Sequence, residues 1–360
     1  MKTIEPAPLQ GVSCCRAVAD YHPPTQAATG AGDLHPGDIL DNRFLITELI
    51  SRSGMAMIFK AQDLLNHNAN VALKVPHLEI ESDAGFFTRF CREEEIGLRL
   101  DHPYVLKFIH VEGPKSRPYI VTEYLNGCTL AHLLEATKPL PEKDALKIAG
   151  LLCEAVQYLH DEGVIHRDLK PQNVMIGCNG SIRLLDLGLA KCNESRRVTF
   201  AGWTPAMGTP DYMAPEQVQG KRGDERTDVY SLGAMLYEML TGVTPFDGDN
   251  SLVTMNARVL GDPEPPRALN PNISPEAEEI VLHAMERDPH NRYPSAISMQ
   301  AELTNLELVR VTGRCNRLHA AAPWAQKLRQ HAEIVLALAV PVVASVAICL
   351  WLLLRRHGLP

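Results

Sequence analysis

The chain lacks three features that would place it in common classes of protein. None of its nine cysteines forms a Cys-x-x-Cys pair, which argues against zinc fingers and thioredoxin-type redox sites. The first ten residues contain no apolar run, so no cleavable secretion signal is visible. Basic residues are outnumbered, 35 against 43 acidic ones, and a net charge of −8 disfavours a general nucleic-acid binder. We therefore expect reduced thiols in a cytosolic domain.

The composition is that of a globular protein with a sizeable core. Hydrophobic residues make up 45% of the 360 positions and charged residues 22%, which fits one large domain with extensions. Residues 1–38 are rich in Ala, Pro, Gly and Thr and lack sustained periodicity, which predicts a flexible leader. Cys14 and Cys15 within this leader are interpreted as free thiols rather than lipidation sites.

Residues 166–188 carry most of the chemical information. They read His-Arg-Asp-Leu-Lys-Pro-Gln-Asn, then a hairpin pattern, then Asp-Leu-Gly. Asp168 could accept a hydroxyl proton, and Asn173 and Asp186 offer the oxygen ligands that Mg²⁺ prefers. A lone loop Asp is most often a cap or turn former, so the joint spacing of these residues is what indicates phosphoryl transfer.

This segment resembles the catalytic and metal-binding loops of the eukaryotic-like (Hanks-type) bacterial Ser/Thr protein kinases. The resemblance covers about residues 43–303, and we place the domain at 39–303. It implies an α+β, bilobal protein-kinase fold, with a small antiparallel β-sheet lobe and a larger helical lobe. It also implies transfer of the ATP γ-phosphoryl group to Ser or Thr hydroxyls of proteins. The expected metal is Mg²⁺, with Mn²⁺ as an alternative.

The resemblance assigns roles to further charged residues. Lys74, in a Val-Ala-Leu-Lys-Val strand, would hold the ATP phosphates, and its ion-pair partner should come from a helix predicted at 86–100. Three consecutive acids occupy that helix, and only one can face Lys74 because successive helical residues point about 100° apart. Family spacing selects Glu93, and the other two acids are expected to be solvated. Lys170 should contact the transferred phosphoryl group, with Thr209 nearby.

The loop expected to cover the ATP phosphates departs from the family pattern. Ser51, Ser53 and Ala56 replace the three signature glycines, and they would be strained if their positions required positive φ. Thr122 is the predicted gatekeeper, and residues 123–125 are the predicted hinge that binds adenine. The predicted ATP contacts are Ile50, Ser51, Arg52, Ser53, Gly54, Met55, Ala56, Ile58, Lys74, Thr122, Glu123 and Leu125.

Residues 189–216 resemble an activation segment that ends in Ala-Pro-Glu. Autophosphorylation is predicted at Thr199 or Thr204, with Ser195 as a further candidate. Arg167, just before the catalytic Asp168, would bind a phosphate placed there.

Three more residues receive structural roles by resemblance. Asp228 should anchor the backbone of the catalytic loop, and Arg292 should pair with Glu216 inside the large lobe. Strands are predicted at 44–46, 71–75, 105–109 and 118–125, and long helices at 143–160 and 228–240.

The C-terminal part of the chain predicts a membrane anchor. Residues 334–354 contain no charge over 21 positions, and such a helix would span about 31 Å. A basic juxtamembrane linker precedes it at 304–333, and a short extracytoplasmic tail follows at 355–360. The excess of Lys and Arg before the span predicts a single-pass, tail-anchored protein of the bacterial inner membrane with its catalytic domain in the cytoplasm. A sensor domain beyond the span is not expected.

Two rival functions remain open at this point. The altered phosphate loop permits a membrane-tethered pseudokinase that regulates a partner with weak or no catalysis. A small-molecule kinase on the same fold is a second alternative, which the Ala-Pro-Glu segment disfavours. The expected partners are ATP, protein substrates of unknown identity and the lipid bilayer, with no nucleic acid, and homodimerisation is left open.

Overall fold

A computed structural model of the protein describes residues 34–78, 84–187, 210–247 and 251–318. Within them the chain builds two cores. The smaller core lies in an antiparallel sheet, and the larger one lies among helices and extends to the helix beside that sheet. Lys74, Glu93 and Asp186, singled out above, lie where these two parts meet.

The small lobe is a five-stranded antiparallel sheet whose strands follow chain order. Alternating apolar residues place one face of each strand in the core. In the fourth strand Val71, Leu73 and Val75 are buried, while Lys74 lies on the other face. The strands are β1 (Ile39–Leu40), β2 (Phe44–Arg52), β3 (Ala56–Asp63), β4 (Ala69–Pro76) and β5 (Ile120–Glu123).

Helix α1 (Ala84–Gly97) lies beside the sheet and ends three residues earlier than the sequence predicted. Its buried face includes Phe86, Phe90 and Ile96. At its last residue, Gly97, a Cβ would lie 2.4 Å from the ring of Phe108, so only glycine permits this close approach.

The strand predicted at residues 105–109 is not a regular strand. Its backbone hydrogen bonds alternate between two partners. The N–H of Leu106 donates to Leu184 at 3.0 Å, whereas the N–H of Ile109 donates to Val121 at 2.8 Å. Because these partners belong to different lobes, the segment joins the two lobes instead of extending one ladder.

The large lobe is mainly helical. Helix α3 buries a long apolar face in the core, and its acidic first turn suits a helix N-terminus. The helices are α2 (Leu130–Ala136), α3 (Glu142–Asp161), α4 (Pro215–Val218), α5 (Arg226–Thr241), α6 (Ser251–Leu260), α7 (Pro266–Leu269), α8 (Pro275–Ala284) and α9 (Ala296–Thr304). A three-stranded antiparallel sheet joins them, formed by β6 (Gly127–Thr129), β7 (Val174–Gly177) and β8 (Ile182–Leu184).

Residues 304–318, which the sequence assigned to a basic linker, pack against the large lobe. Leu306 and Val309 contact its core. Arg314 forms ion pairs with Glu279 at 3.1 Å and with Glu286 at a shorter distance. The positive charge of Arg314 is therefore compensated by the fold itself.

The described residues contain no helix that is both long and apolar enough to cross a membrane. The predicted span at 334–354 lies outside the described residues, so it stays a prediction.

We expect His283 on α8 to make the protein lose stability in mild acid. Its ring packs against that of Tyr293, with the centroids 3.9 Å apart and the planes tilted by 37°. Burial and the nearby Arg314 lower the pKa of His283 from 6.5 to about 4. Between pH 6.5 and 4 the imidazole of His283 is therefore protonated in the unfolded chain but neutral in the folded chain. The free energy of unfolding falls as the pH drops through this range. Urea unfolding at several pH values in this window should show a smaller loss for His283→Gln. Parallel pH profiles for the two proteins would contradict this.

Candidate active site

Lys74 lies at the point where the sheet, helix α1 and the large lobe meet. Its ammonium is 2.6 Å from Oε1 of Glu93 and 3.5 Å from Oδ1 of Asp186. Lys74 pairs with Ile58 on one side and Ile120 on the other, so it is fixed in the middle of the sheet. The structure therefore contains the ion pair predicted between Lys74 and Glu93.

The charge of Lys74 is stabilised by this arrangement. Burial by itself would lower the pKa of Lys74, but the carboxylates of Glu93 and Asp186 outweigh it and raise that pKa. The ammonium thus stays charged at neutral pH, as the binding of phosphate groups requires.

The neighbouring acid Glu94 corrects one expectation. It was expected to be solvated, yet its carboxylate is paired with the ammonium of Lys115. Glu95 is exposed, as predicted. No sequence pattern indicated this role for Lys115, because this lysine lies in an irregular connection between α1 and β5.

The catalytic loop brings Asp168, Lys170 and Asn173 together. The ammonium of Lys170 lies 2.6 Å from Oδ2 of Asp168. The side-chain amide of Asn173 donates to the backbone oxygen of Asp168 at 2.8 Å and to its Oδ2 at 3.2 Å. Because this amide nitrogen faces Asp168, the orientation of its oxygen is fixed as well. One carboxylate, one cation and one amide are therefore held at a single place.

Two histidines stabilise the catalytic loop through hydrogen bonds. His166 accepts the N–H of Asp168 at Nδ1 (3.2 Å), so Nε2 carries the proton that it donates to Leu185 (3.2 Å). This links the catalytic loop to the residue before Asp186. His160 is buried and donates to Asp228 at 2.8 Å, in keeping with the packed structural role expected for it.

Asp228 is a fully buried carboxylate at the start of α5. Besides His160, it accepts the backbone N–H groups of His166 (2.9 Å) and Arg167 (2.8 Å). Burial would raise the pKa of Asp228, but the hydrogen bonds and charges of the surrounding donors lower it overall. Asp228 therefore remains an anion and fixes the backbone of the catalytic loop.

Two site residues adopt strained backbone conformations. Arg167 has φ of 66° and Asp186 has φ of 55°, the left-handed region that non-glycine residues seldom enter. Such strain persists only where surrounding contacts over-determine the conformation. At Arg167 those contacts are the bond to Asp228 and a bond of 2.9 Å from the amide of Gln217 to its carbonyl.

The phosphate loop folds without the signature glycines. Neither Ser51, Ser53 nor Ala56 is among the residues with positive φ, so the replacements cause no such strain. The hydroxyl of Ser53 donates to the carbonyl of Ala56 at 2.9 Å and accepts its N–H at 3.1 Å. His77 then contacts the carbonyl of Ser53 at 2.7 Å. A serine turn thus replaces the flexible glycine turn.

The hinge contains a side-chain contact that sequence reasoning missed. Oε1 of Glu123 accepts from Nε of Arg183 at 2.9 Å, which links β5 to β8 of the large lobe. Thr122 beside it is buried and pairs with Ala72. The identity of Glu123 therefore matters for lobe geometry, although the family binds adenine through backbone.

The predicted buried ion pair between Glu216 and Arg292 is present and bidentate, with distances of 2.8 and 2.7 Å. Burial opposes the ionised form of Glu216, but Arg292 lowers its pKa overall. Gly188, Ser195, Thr199, Thr204 and Thr209 lie outside the described residues.

Arg258 on α6 is a further residue that the sequence did not single out. It is almost fully buried, lies over the ring of Phe246 and donates to the carbonyl of Asp211. Arg258 thereby links α6 to residues 210–212, shortly before Glu216. Its isolated position in the sequence carried no pattern that could have revealed it.

The residues present suit a divalent metal bound together with a nucleotide. Among the described residues, no cluster of three or more His, Cys, Asp or Glu could hold a metal by itself. Mg²⁺ usually takes one or two protein oxygen ligands and completes its shell with phosphates and water. Asn173 and Asp186 offer such oxygens, so they are the residues that would hold it.

Comparison with known proteins now identifies the family. Residues 48–303 match the model of the protein kinase domain, and the chain belongs to this family. Family membership implies the use of ATP and a divalent metal. The bilobal fold is confirmed by a crystal structure of the Mycobacterium tuberculosis PknI kinase domain. It matches with a TM-score of 0.59 at 24% identity, covering 76% of this chain and 99% of that one.

The chain is similar to curated bacterial members of this family. The chain is 35% identical over 307 residues to the serine/threonine-protein kinase PknB of Mycolicibacterium smegmatis, covering 84% of this chain and 47% of that protein. It is also 35% identical to PknB of Mycobacterium tuberculosis, with 74% and 43% covered. The chain thus spans less than half the length of these relatives.

We expect Ser53→Gly to weaken ATP binding instead of improving it. Glycine loses the two hydroxyl hydrogen bonds that fix the turn, each worth about 1 kcal/mol, so KM for ATP should rise by up to roughly 30-fold with little change in kcat. Steady-state kinetics would test this beside Ser53→Thr, which keeps the hydroxyl, as the matched control. A lower KM or a higher kcat for Ser53→Gly would show that the serine handicaps the loop.

We expect Asp228→Asn to destabilise the protein and slow phosphoryl transfer. The amide of asparagine offers one acceptor oxygen where three donors converge, so at least one buried donor loses its partner, at about 1–3 kcal/mol. Urea unfolding and single-turnover rates would be compared with Asp224→Asn, which changes an exposed acid just before α5. Equal stabilities for the two variants would contradict the anchoring role.

Proposed function

We propose that this protein is an ATP-dependent Ser/Thr protein kinase that transfers the γ-phosphoryl group to protein hydroxyls. The observation that carries the proposal is the triad of Lys74, Glu93 and Asp186, with distances of 2.6 and 3.5 Å from the ammonium. This places a stable cation beside a carboxylate of the metal-binding type. Phosphoryl transfer depends mainly on such positioning and electrostatic stabilisation.

Each residue of the site has a role in this proposal. Lys74 binds the phosphates, and Glu93 keeps its ammonium in place. Asp168 orients the substrate hydroxyl and accepts its proton, while Lys170 stabilises charge on the transferred group. Asn173 and Asp186 would hold Mg²⁺, which supplies charge neutralisation at the phosphates when bound.

The pseudokinase alternative is not favoured. Its support was the loss of three glycines, yet the loop forms a hydrogen-bonded turn without positive φ at the replaced positions. Every charged position of the proposed mechanism is also filled. The matched relatives carry names of serine/threonine-protein kinases.

The proposal includes regulation and location. Autophosphorylation at Thr199 or Thr204, or at Ser195, would place a phosphate for Arg167 to bind. Residues 334–354 would form a single membrane-spanning helix in the bacterial inner membrane, with the kinase domain at 39–303 on the cytoplasmic side. Supporting this are the uncharged run and the Lys and Arg residues that precede it.

Incubation of the purified chain with Mg²⁺ and γ-labelled ATP tests the proposal. We expect labelled phosphate on the wild type and on added protein substrate, and a loss of at least 100-fold in Lys74→Ala and Asp168→Asn, which remove charges from the reacting centre. Lys143→Ala and Asp161→Asn, at exposed positions of α3, are the matched controls. Mass spectrometry of the labelled chain would locate the modified residues.

Failure of transfer by the wild type would overturn the proposal. If ATP still bound, the pseudokinase would be the better description. Label on a small metabolite but on no protein would favour the small-molecule kinase.

A further inference from the structure

Two adjacent acids of helix α1 are bound by two different lysines. Glu93 pairs with Lys74, and Glu94 pairs with Lys115. The second pair lies away from the reacting groups, and nothing in the mechanism above uses it. Side-chain exposures of 20% for Lys115 and 24% for Glu94 show that solvent screens this pair only in part.

Lys115 is itself attached to a rigid part of the small lobe. Its ammonium donates to the carbonyl of Tyr119 at 2.7 Å and lies 4.7 Å from the centre of the Tyr119 ring. Tyr119 is 1% exposed, and its hydroxyl donates to Asp41 at 2.8 Å. Lys115 therefore has little freedom to follow Glu94 if helix α1 moves.

Lys74 reaches the helix from β4, and Lys115 reaches it from the connection that leads into the neighbouring β5. Tyr119 directly precedes Ile120, the first residue of β5, and Ile120 pairs with Lys74 in β4. Successive helical residues point about 100° apart, so the two ion pairs hold the helix along two different directions. One pair alone would fix only one of these directions and leave the other to the apolar packing of the helix.

We propose that Lys115 is a positioning residue for phosphoryl transfer, because through Glu94 it fixes the rotation of helix α1 at which Glu93 meets Lys74. This inference rests on the proposed function, since its catalytic consequence is the placement of Lys74. Lys115 touches neither nucleotide nor metal in this scheme. Its role is to hold helix α1 from the connection between α1 and β5, in which Lys115 lies.

The size of the effect follows from the type of contact. Partly exposed ion pairs contribute up to about 1 kcal/mol, which corresponds to a factor of roughly five in the equilibrium constant between the correctly placed and the displaced helix. Reversing one charge replaces attraction by repulsion, so single reversals should lower kcat by roughly fivefold to 30-fold. KM for ATP should change less, because the phosphate loop and the hinge are untouched.

Charge reversal on the full chain, purified in a non-ionic detergent, tests the inference. Glu94→Lys and Lys115→Glu are compared singly and together, with Glu95→Lys as the matched control on the next, exposed position of the same helix. The readouts are kcat and KM for ATP in labelled-phosphate transfer, and hydrogen exchange of the amides in 84–97. Glu94→Gln and Lys115→Met serve as milder versions if a reversal fails to fold.

We expect both single reversals to lower kcat and speed exchange in α1. The double reversal should recover part of both losses, because it restores the attraction between positions 94 and 115 but not the hydrogen bond to the carbonyl of Tyr119. Glu95→Lys should neither lower kcat nor speed exchange. Single variants with unchanged kcat and exchange, or a double variant as impaired as the sum of the singles, would overturn the inference. If the wild type transferred no phosphate, the proposed function would fail, while the exchange measurement would still decide whether the pair holds the helix.

Discussion

The ammonium group of Lys74 must stay charged at the junction of three parts of the fold. The sheet supplies the lysine, helix α1 supplies Glu93, and the segment after β8 supplies Asp186. Burial opposes the charge, and the two carboxylates outweigh that opposition. The position of α1 therefore determines how well Glu93 stabilises the charge of Lys74. This is why the second ion pair on the same helix, between Glu94 and Lys115, would affect phosphoryl transfer.

The large lobe uses buried carboxylates in the same way. Asp228 accepts hydrogen bonds from a histidine and two backbone N–H groups, and Glu216 forms a bidentate ion pair with Arg292. A buried charge that lost its partners would be costly, so each pair strongly resists separation. This rigidity holds Arg167 at positive φ and keeps Asp168 next to Lys170 and Asn173. The strain at the catalytic loop is sustained by the surrounding anchors.

Much of the fold could be predicted because its motifs follow in order along the chain. The hairpin between Asn173 and Asp186 forms as the pattern indicated, and Glu93 was selected from three acids by spacing alone. Prediction failed where a residue's partner is distant and its own segment irregular. Residues 105–109 resembled a strand but divide their bonds between two lobes, and Glu94 resembled a solvated acid until Lys115 was placed beside it. Periodicity describes one element at a time and contains no information about which neighbour it meets.

The sequence by itself determined the chemistry: the residue types at 74, 93, 168, 170, 173 and 186 and the order in which they follow are those of a protein kinase. Only the tertiary structure decided how an altered phosphate loop closes, since the hydroxyl of Ser53 takes over a turn that glycine usually forms. It also decided that the charge of Arg314 is compensated by the large lobe and that Glu123 links the lobes. The physical reason is common to these cases. A side chain's charge and hydrogen-bonding capacity are fixed by its type, whereas its partner, its burial and therefore its energy depend on what the fold brings beside it.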